Sequence, residues 1–402
     1  MIGIYKGINV LDFTTNIWGS FTSLLLAESG AEVVKIEPPE GDPMRGRGYR
    51  KNDVSLTFQS LNLNKKSICI DYRKPEGAEL IKKLVPGYDI VIEDSMPGQM
   101  DRYGLSYDDC RELNPGLIYL SVTGYGQNGP NSRRHPVDAN IIVEGLMAAN
   151  YPKVEREIHP VVRGGDLASY VGGVYGLCAV AMAIYHRDCT GLGQYLDVNM
   201  LTGICSAALQ MGTLLGQANH MFGVLAEENT TVGYSPVGVI RTRDGFIDFN
   251  ASTEAGFAAL KELMPYDEVL FDEKYNDPKA RAVDFHLLMG RIEQWSMTLS
   301  SYEVDRLFEK AKIPVGMITM KASDLLANEH LQATDRFVNV DVPGVGSLPF
   351  TRYPINLSGF REEGFEYRAA PEKGADTRAV LMHEMYTEAE IELLQKDGII
   401  CF

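Results

Sequence analysis

Short metal- and nucleotide-binding signatures are missing from this 402-residue chain. Its six cysteines (69, 110, 178, 189, 205 and 401) form no CxxC pair and its seven histidines no HExxH, so no metal site is expected. Several of these cysteines fall in stretches that read as core, which favours reduced thiols in a cytoplasmic protein over a disulfide framework. The first βα turn, Thr14-Thr15-Asn16-Ile17-Trp18-Gly19-Ser20, lacks the glycine spacing that lets a pyrophosphate approach the backbone, and this argues against a nicotinamide or flavin site. Positive charge is scarce. With 38 Lys and Arg against 54 Asp and Glu, the net charge of −16 argues against nucleic acid or anionic lipid as a partner. No internal repeat, low-complexity segment or basic-then-apolar leader is evident. A single long stretch, Leu167–Tyr185, runs nineteen residues without a formal charge. Its glycines, with Ser169 and Tyr170, make it a buried core helix rather than a membrane span.

The hydrophobic pattern is that of an α/β protein. Ile8–Phe13 reads as a buried strand, Ser20–Ser29 as a helix with an apolar stripe, and Glu32–Glu37 as a second strand. Strands at Ser67–Asp71, Ile90–Glu93 and Leu117–Thr123 follow, separated by a helix at Pro75–Leu84 with proline in its first turn and another capped near Ser106. Strands alternating with helices imply a parallel, doubly wound sheet. Gln194–Asn199 adds a strand, and a helix is expected from about Leu201 to Gly216. The texture then changes to a hairpin, Val237–Arg241 with Phe246–Asn250, and acidic helical segments. The expected organisation is a large domain over 1–219, a smaller α+β domain over 220–312, and a return to the large domain over 313–402. Ile313–Met320 is taken as the returning strand. The last helix opens at Thr387 with Glu390 as a capping box and stops at Gly398.

Asp166 is the residue on which chemistry would centre. It follows Arg163-Gly164-Gly165 and immediately precedes the uncharged helix. On local pattern alone an aspartate there is a helix N-cap, accepting backbone N–H bonds worth about 1 kcal/mol. An ionised carboxylate at a helix mouth is also a nucleophile for an acyl carbon. Both readings stay open. An anionic ligand would need a local cluster of positive charge, and Arg45, Arg47, Arg50 and Lys51, with Lys65, Lys66 and Arg73 close behind, supply a candidate.

Several short stretches, taken in order, resemble the family III CoA-transferases of the formyl-CoA:oxalate and carnitine type. They are Val10–Phe13 with Gly30–Pro39, Asn62–Ile68 with Asp71–Gly77, and Val91–Glu93 with Pro97-Gly98 and Asp101–Leu105. Asn114-Pro115 ahead of Ser121–Gln127, then Gly165-Asp166 and its glycine-studded helix, Thr190–Gln194, Arg368–Pro371 and the final helix complete the set. The likeness spans nearly the whole chain. It implies an interlocked-ring homodimer, no permanently bound cofactor, and coenzyme A as a substrate carried on an acyl-CoA whose partner is a carboxylic acid. By position it makes Asp166 the catalytic aspartate and aligns Ile17, Ile70, Arg73, Asp94, Ser95, Arg102 and His135 with CoA-contacting positions. Two departures stand out. The segment Thr15–Ser20 replaces the family's frequent Arg-Val-Leu-Ala-Gly-Pro, and Asp94 stands where asparagine is common. Trp18, Tyr125, Met147 and Tyr170 are candidates for the acyl pocket.

The activity implied is transfer of CoA from an acyl-CoA to a carboxylate through Asp166. A 2-methylacyl-CoA racemase would instead pair His135 with Asp166 for proton exchange at the α-carbon. In racemases the histidine directly precedes the aspartate of the Asp138-Ala139-Asn140 segment, where this chain has Val137. A non-enzyme that kept the fold and lost the chemistry is the remaining alternative.

Overall fold

The computed structural model describes residues 3–145, 165–207, 235–319, 321–358, 365–384 and 386–402. The opening half forms β1 (Asn9–Asp12), α1 (Ile17–Glu28), β2 (Glu32–Glu37), β3 (Lys66–Ile70), α2 (Pro75–Leu84) and β4 (Ile90–Glu93). It continues through α3 (Tyr107–Arg111), β5 (Ile118–Thr123), α4 (Asp138–Glu144), α5 (Leu167–Thr190) and β6 (Gln194–Asn199). Local chemistry sets many of these ends. In α2, Pro75 occupies the first turn with Glu76, while Lys82 and Lys83 sit in the last, each complementing the helix dipole. Ser106 caps α3 through a reciprocal box with Asp109.

The six strands are parallel and lie in the order β3-β2-β1-β4-β5-β6, with Ile400–Cys401 antiparallel on the outer edge of β3. The chain starts at β1, builds outward to β3, and then reverses to the other side of β1. This doubly wound α/β order places a crevice beyond the carboxyl ends of β1 and β4, where such sheets bind ligands. Alternate residues feed opposite cores. Leu11, Val34, Ile68, Val91 and Tyr119 pack under α2, and Val10, Val33, Ile90, Ile118 and Leu120 pack under α1 and α5.

α5 lies so close to α1 that glycine is required at the crossing. A Cβ on Gly173 would stand 2.9 Å from the Trp18 carbonyl oxygen, and one on Gly176 would stand 2.5 Å from the Thr22 hydroxyl. The Thr22 hydroxyl donates to the Gly173 carbonyl at 2.9 Å. Helix-interior glycine costs roughly 1 kcal/mol relative to alanine, so its use here reflects the contact rather than helix propensity. α5 is nevertheless not the wholly buried helix the sequence suggests. Tyr170, Val174, Met182 and Tyr185 are 41% to 74% exposed in the single chain.

The described residues divide into two compact units, the second beginning before the hairpin and ending at Thr334. Here the structure departs from the expected boundary at 313. Val315–Met317 pairs antiparallel with Phe246–Asn250, so it closes the smaller sheet instead of leading back. That sheet packs on helices Glu254–Leu263, Phe285–Ser296 and Ser301–Lys310 through Phe249, Phe257, Leu288 and Phe308. Chain from Asp335 onward belongs to the larger unit. The helix expected over Leu201–Gly216 is seen as Met200–Ala207, and the remainder lies outside the described residues.

The expectation of unpaired cysteines is corrected. Cys69 and Cys401 are joined by a disulfide, while Cys110, Cys178, Cys189 and Cys205 are free. The reason is tertiary: the final strand pairs with β3 so that Cys401 falls directly opposite Cys69, 332 residues away in sequence. A cross-link over so long a loop removes much denatured-state entropy, worth about 2–5 kcal/mol. Thiol titration of the unreduced, denatured protein is therefore expected to find four thiols. Cys401→Ser is expected to lower the thermal midpoint to that of the reduced wild type and to make added reductant without further effect.

Candidate functional site

The crevice at the sheet reversal is built from the ends of β1 and β4. Asp94, just past β4, accepts N–H bonds from Thr15 at 2.9 Å and Asn16 at 2.8 Å. It thus occupies the open amides ahead of α1, where a dinucleotide-binding chain would hold a pyrophosphate. The missing glycine motif and this buried carboxylate say the same thing. Gly19 supports the arrangement, because a Cβ there would stand 2.8 Å from an Asp94 carboxylate oxygen. Burial pushes the Asp94 carboxyl up to about 7, against the pull of its two backbone amides. Its neighbour Glu93 is also pushed to about 7 by burial, while accepting from the Ser121 hydroxyl and, at 2.7 Å, from the Ser95 amide. A cavity of about 180 Å³ opens beside Glu93, lined in part by Tyr107, Tyr119, Ser121 and Tyr195.

Of the two roles that the sequence left open for Asp166, the capping of α5 is made by another carboxylate. Asp166 stands at the N-cap position of α5 but makes no side-chain capping bond. Asp138, at the start of α4, does that work: it accepts from the Ser169 amide at 2.7 Å, the Ser169 hydroxyl at 2.8 Å and the Ala168 amide at 3.4 Å. Asp166 is left exposed at the helix mouth. Partial burial, and then the Asp138 charge, raise its carboxyl above the usual aspartate value. Gly165 delivers the chain into this position at φ +91, a conformation that favours glycine. Because Gly173 meets the first turn of α1, Asp166 stands about two helical turns ahead of that contact. That is the end of α1 that faces the crevice.

The other expected site residues are distributed less evenly. Arg73 is partly exposed and bonded to Asp71 and Glu40. Arg102, at the end of a short helix, and His135 are both exposed, and Ile17 and Ser95 are half-buried at the crevice. Ile70 is different. It is 0% exposed, packed in the core and paired with Ile400, so it offers no surface to a ligand. The expected cluster of positive charge is also dispersed: Arg45 pairs with Glu37, Lys65 with Asp12, Lys66 with Glu32 and Arg50 with Asp53. Of the pocket candidates, Trp18 is buried against α5, Tyr125 is nearly buried, Tyr170 packs edge-on to Phe21, and Met147 lies outside the described residues, as do Arg163 and Gly164. No hydrogen bond joins His135 to Asp166 or Asp138 among the described residues. Sequence reasoning missed Asp138 as the cap of α5, since nothing local ties a carboxylate to a helix that begins 29 residues later.

The strand order and the crevice at its reversal define a doubly wound α/β protein of the ligand-binding kind. The chain belongs to CoA-transferase family III, whose sequence model matches residues 5–377. It is 33% identical over 403 residues to the alpha subunit of succinyl-CoA–L-malate CoA-transferase of Chloroflexus aurantiacus, covering 98% of this chain and 92% of that one. It is 29% identical over 402 residues to succinyl-CoA:glutarate CoA-transferase of Mus musculus, covering 98% and 90%. Among solved structures it is similar to a CAIB/BAIF family protein from Brucella suis, with 25% identity and a TM-score of 0.80 over 96% of this chain and 100% of that one. The protein moves CoA between an acyl-CoA and a carboxylate, as family III transferases do, with CoA as substrate rather than resident cofactor.

The raised Glu93 carboxyl carries a testable consequence. A group that binds its proton more tightly when folded favours the folded state below its folded pKa and loses that advantage as pH rises through it. Replacing Glu93 with glutamine removes the titration. Relative to wild type, Glu93→Gln is expected to gain stability progressively as pH rises from about 4.5 to about 7. Urea unfolding across that range checks it.

Proposed function

We propose that Asp166 is the nucleophile of this transferase and that CoA lies across the crevice between β1 and β4, with Arg73 and Arg102 serving its phosphates. The observation that carries the assignment is the cap supplied by Asp138, which leaves Asp166 ionisable, exposed and without a capping duty. A carboxylate oxygen of Asp166 attacks the donor thioester carbon, the C–S bond breaks, and an aspartyl–acyl anhydride and CoA thiolate result. The thiolate attacks the Asp166 carbonyl, the anhydride C–O bond breaks, and the donor acid leaves as its carboxylate. The aspartyl–CoA thioester is then attacked by the acceptor carboxylate, which expels the thiolate. Return of the thiolate to the acceptor's carbonyl yields the new acyl-CoA and frees Asp166. Splitting the exchange in this way conserves the thioester, provided water is excluded.

The substrates in the relatives' names, succinyl-CoA with malate or glutarate, support a small dicarboxylic acid as the acceptor class. The exposed row Tyr170, Val174, Met182 and Tyr185 on α5 supports burial against a second copy, and so the interlocked homodimer. A net charge of −16 supports the absence of nucleic acid and anionic membrane among its partners. Four free thiols and a thioester substrate support a cytoplasmic setting, although the Cys69–Cys401 bond favours an oxidising one.

Asp166→Asn is expected to reduce CoA exchange by three or more orders of magnitude, roughly the scale seen when a nucleophile is deleted. It should also abolish the hydroxylamine-sensitive adduct that mass spectrometry would find on the wild type after exposure to succinyl-CoA. Undiminished turnover would overturn the assignment. A second test uses pH. Asp138→Asn keeps an oxygen to cap α5 but removes the charge that raises the Asp166 carboxyl. Since the ionised form attacks, the acid limb of the kcat/KM profile is expected to move to lower pH in that variant.

A further inference from the structure

Arg73 is held by two carboxylates of different character. Asp71 is 8% exposed and accepts from Arg73 Nε at 2.7 Å, and its own amide is tied to the Ile399 carbonyl at 2.8 Å. It is a fixed support. Glu40 is the opposite: its side chain is 58% exposed, on the turn Pro38–Asp42, and it faces both terminal nitrogens of the guanidinium. Arg73 Nη1 donates to one oxygen, and Nη2 donates to the other at 3.0 Å. The backbone of that turn is itself anchored, because Gly41 N–H bonds the Pro38 carbonyl at 2.8 Å and Lys373 bonds the Pro39 carbonyl. Glu40 thus covers the same two-nitrogen fork that a phosphate would use.

An uncovered arginine fork creates a difficulty for an enzyme whose second substrate is a carboxylate. Carboxylates match the fork as well as phosphates do, so the acceptor acid would compete there with the CoA donor. A tethered carboxylate offsets this, since its effective concentration exceeds that of any one carboxylate group on a free acid. A phosphate dianion, with more charge, still displaces it. We infer that Glu40 is a specificity-determining residue: it occupies the phosphate seat of Arg73 in the empty enzyme and admits the phosphates of CoA while refusing the acceptor acid. This rests on the proposed contact between Arg73 and a CoA phosphate.

The test compares Glu40→Gln, Arg73→Ala and wild type in steady-state exchange with succinyl-CoA, then with succinyl-pantetheine, over a range of malate or glutarate. In Glu40→Gln the KM for succinyl-CoA is expected to fall about threefold to fivefold, the size of an exposed ion pair, with kcat held. The KM for succinyl-pantetheine, which has no phosphate end, should not move. The acceptor should now inhibit competitively against succinyl-CoA at concentrations where wild type shows no such inhibition. If Arg73→Ala raises the KM for succinyl-CoA while Glu40→Gln changes neither that KM nor acceptor inhibition, the role of Glu40 is refuted and the contact at Arg73 stands. If Arg73→Ala leaves the KM for succinyl-CoA at its wild-type value, the contact itself is refuted, and the inference falls with it.

Discussion

One carboxylate standing in for another shapes the mouth of α5. Asp138 satisfies the first amides of α5 from outside the helix, so the residue at the N-cap position, Asp166, needs no bond of its own. Helix ends left unsatisfied are unfavourable, and a local aspartate normally meets that need. Here the need is met by α4. Partial burial, and then the nearby Asp138 charge, keep the Asp166 carboxyl above the usual aspartate value. The close packing of α5 on α1 through Gly173 and Gly176 then fixes where the freed side chain stands relative to the crevice.

Beneath the crevice lies a second constraint. Asp12, at the end of β1, is fully buried and pairs with Lys65 at 2.9 Å, while Lys35 pairs with Asp42 at 2.7 Å, also buried. Burial would raise the Asp12 carboxyl, but Lys35 and Lys65 hold it well below the usual range. Burial pulls Lys65 down to about 8, against Asp12. Arg45 forks onto the buried Glu37, which also accepts from Ser67. Such pairs add little net stability over apolar residues, yet removing one partner leaves a buried charge and costs about 3–5 kcal/mol. Their effect is positional: they fix the loops after β1 and β2, including the turn that carries Glu40.

Much of the fold was legible in sequence because its signals are local. β2, α2, β4 and β6 begin and end at the expected residues, as do both strands of the smaller hairpin, since each couples a clear period to a proline, glycine or cap. The same is true of the Thr387 box. What escaped was paired at long range. Ile400–Cys401 is too short to announce itself, and Val315–Met317 reads as a strand without saying which sheet it joins. Four of the basic loop residues that read as an anion site, Arg45, Arg50, Lys65 and Lys66, are instead held by Glu37, Asp53, Asp12 and Glu32.

The amino-acid sequence alone determined the class of fold, the order of its strands along the chain, the family resemblance, and the two roles open to Asp166. Periodicity, caps and short motifs depend only on neighbours within a few residues, so they survive in one dimension. Tertiary structure gave the capping of α5 to Asp138, joined Cys69 to Cys401, buried Ile70, and set Glu40 against Arg73. Each of these outcomes depends on groups that folding brings together from distant positions, where hydrogen-bond satisfaction and charge pairing are settled by geometry in space rather than by spacing along the chain.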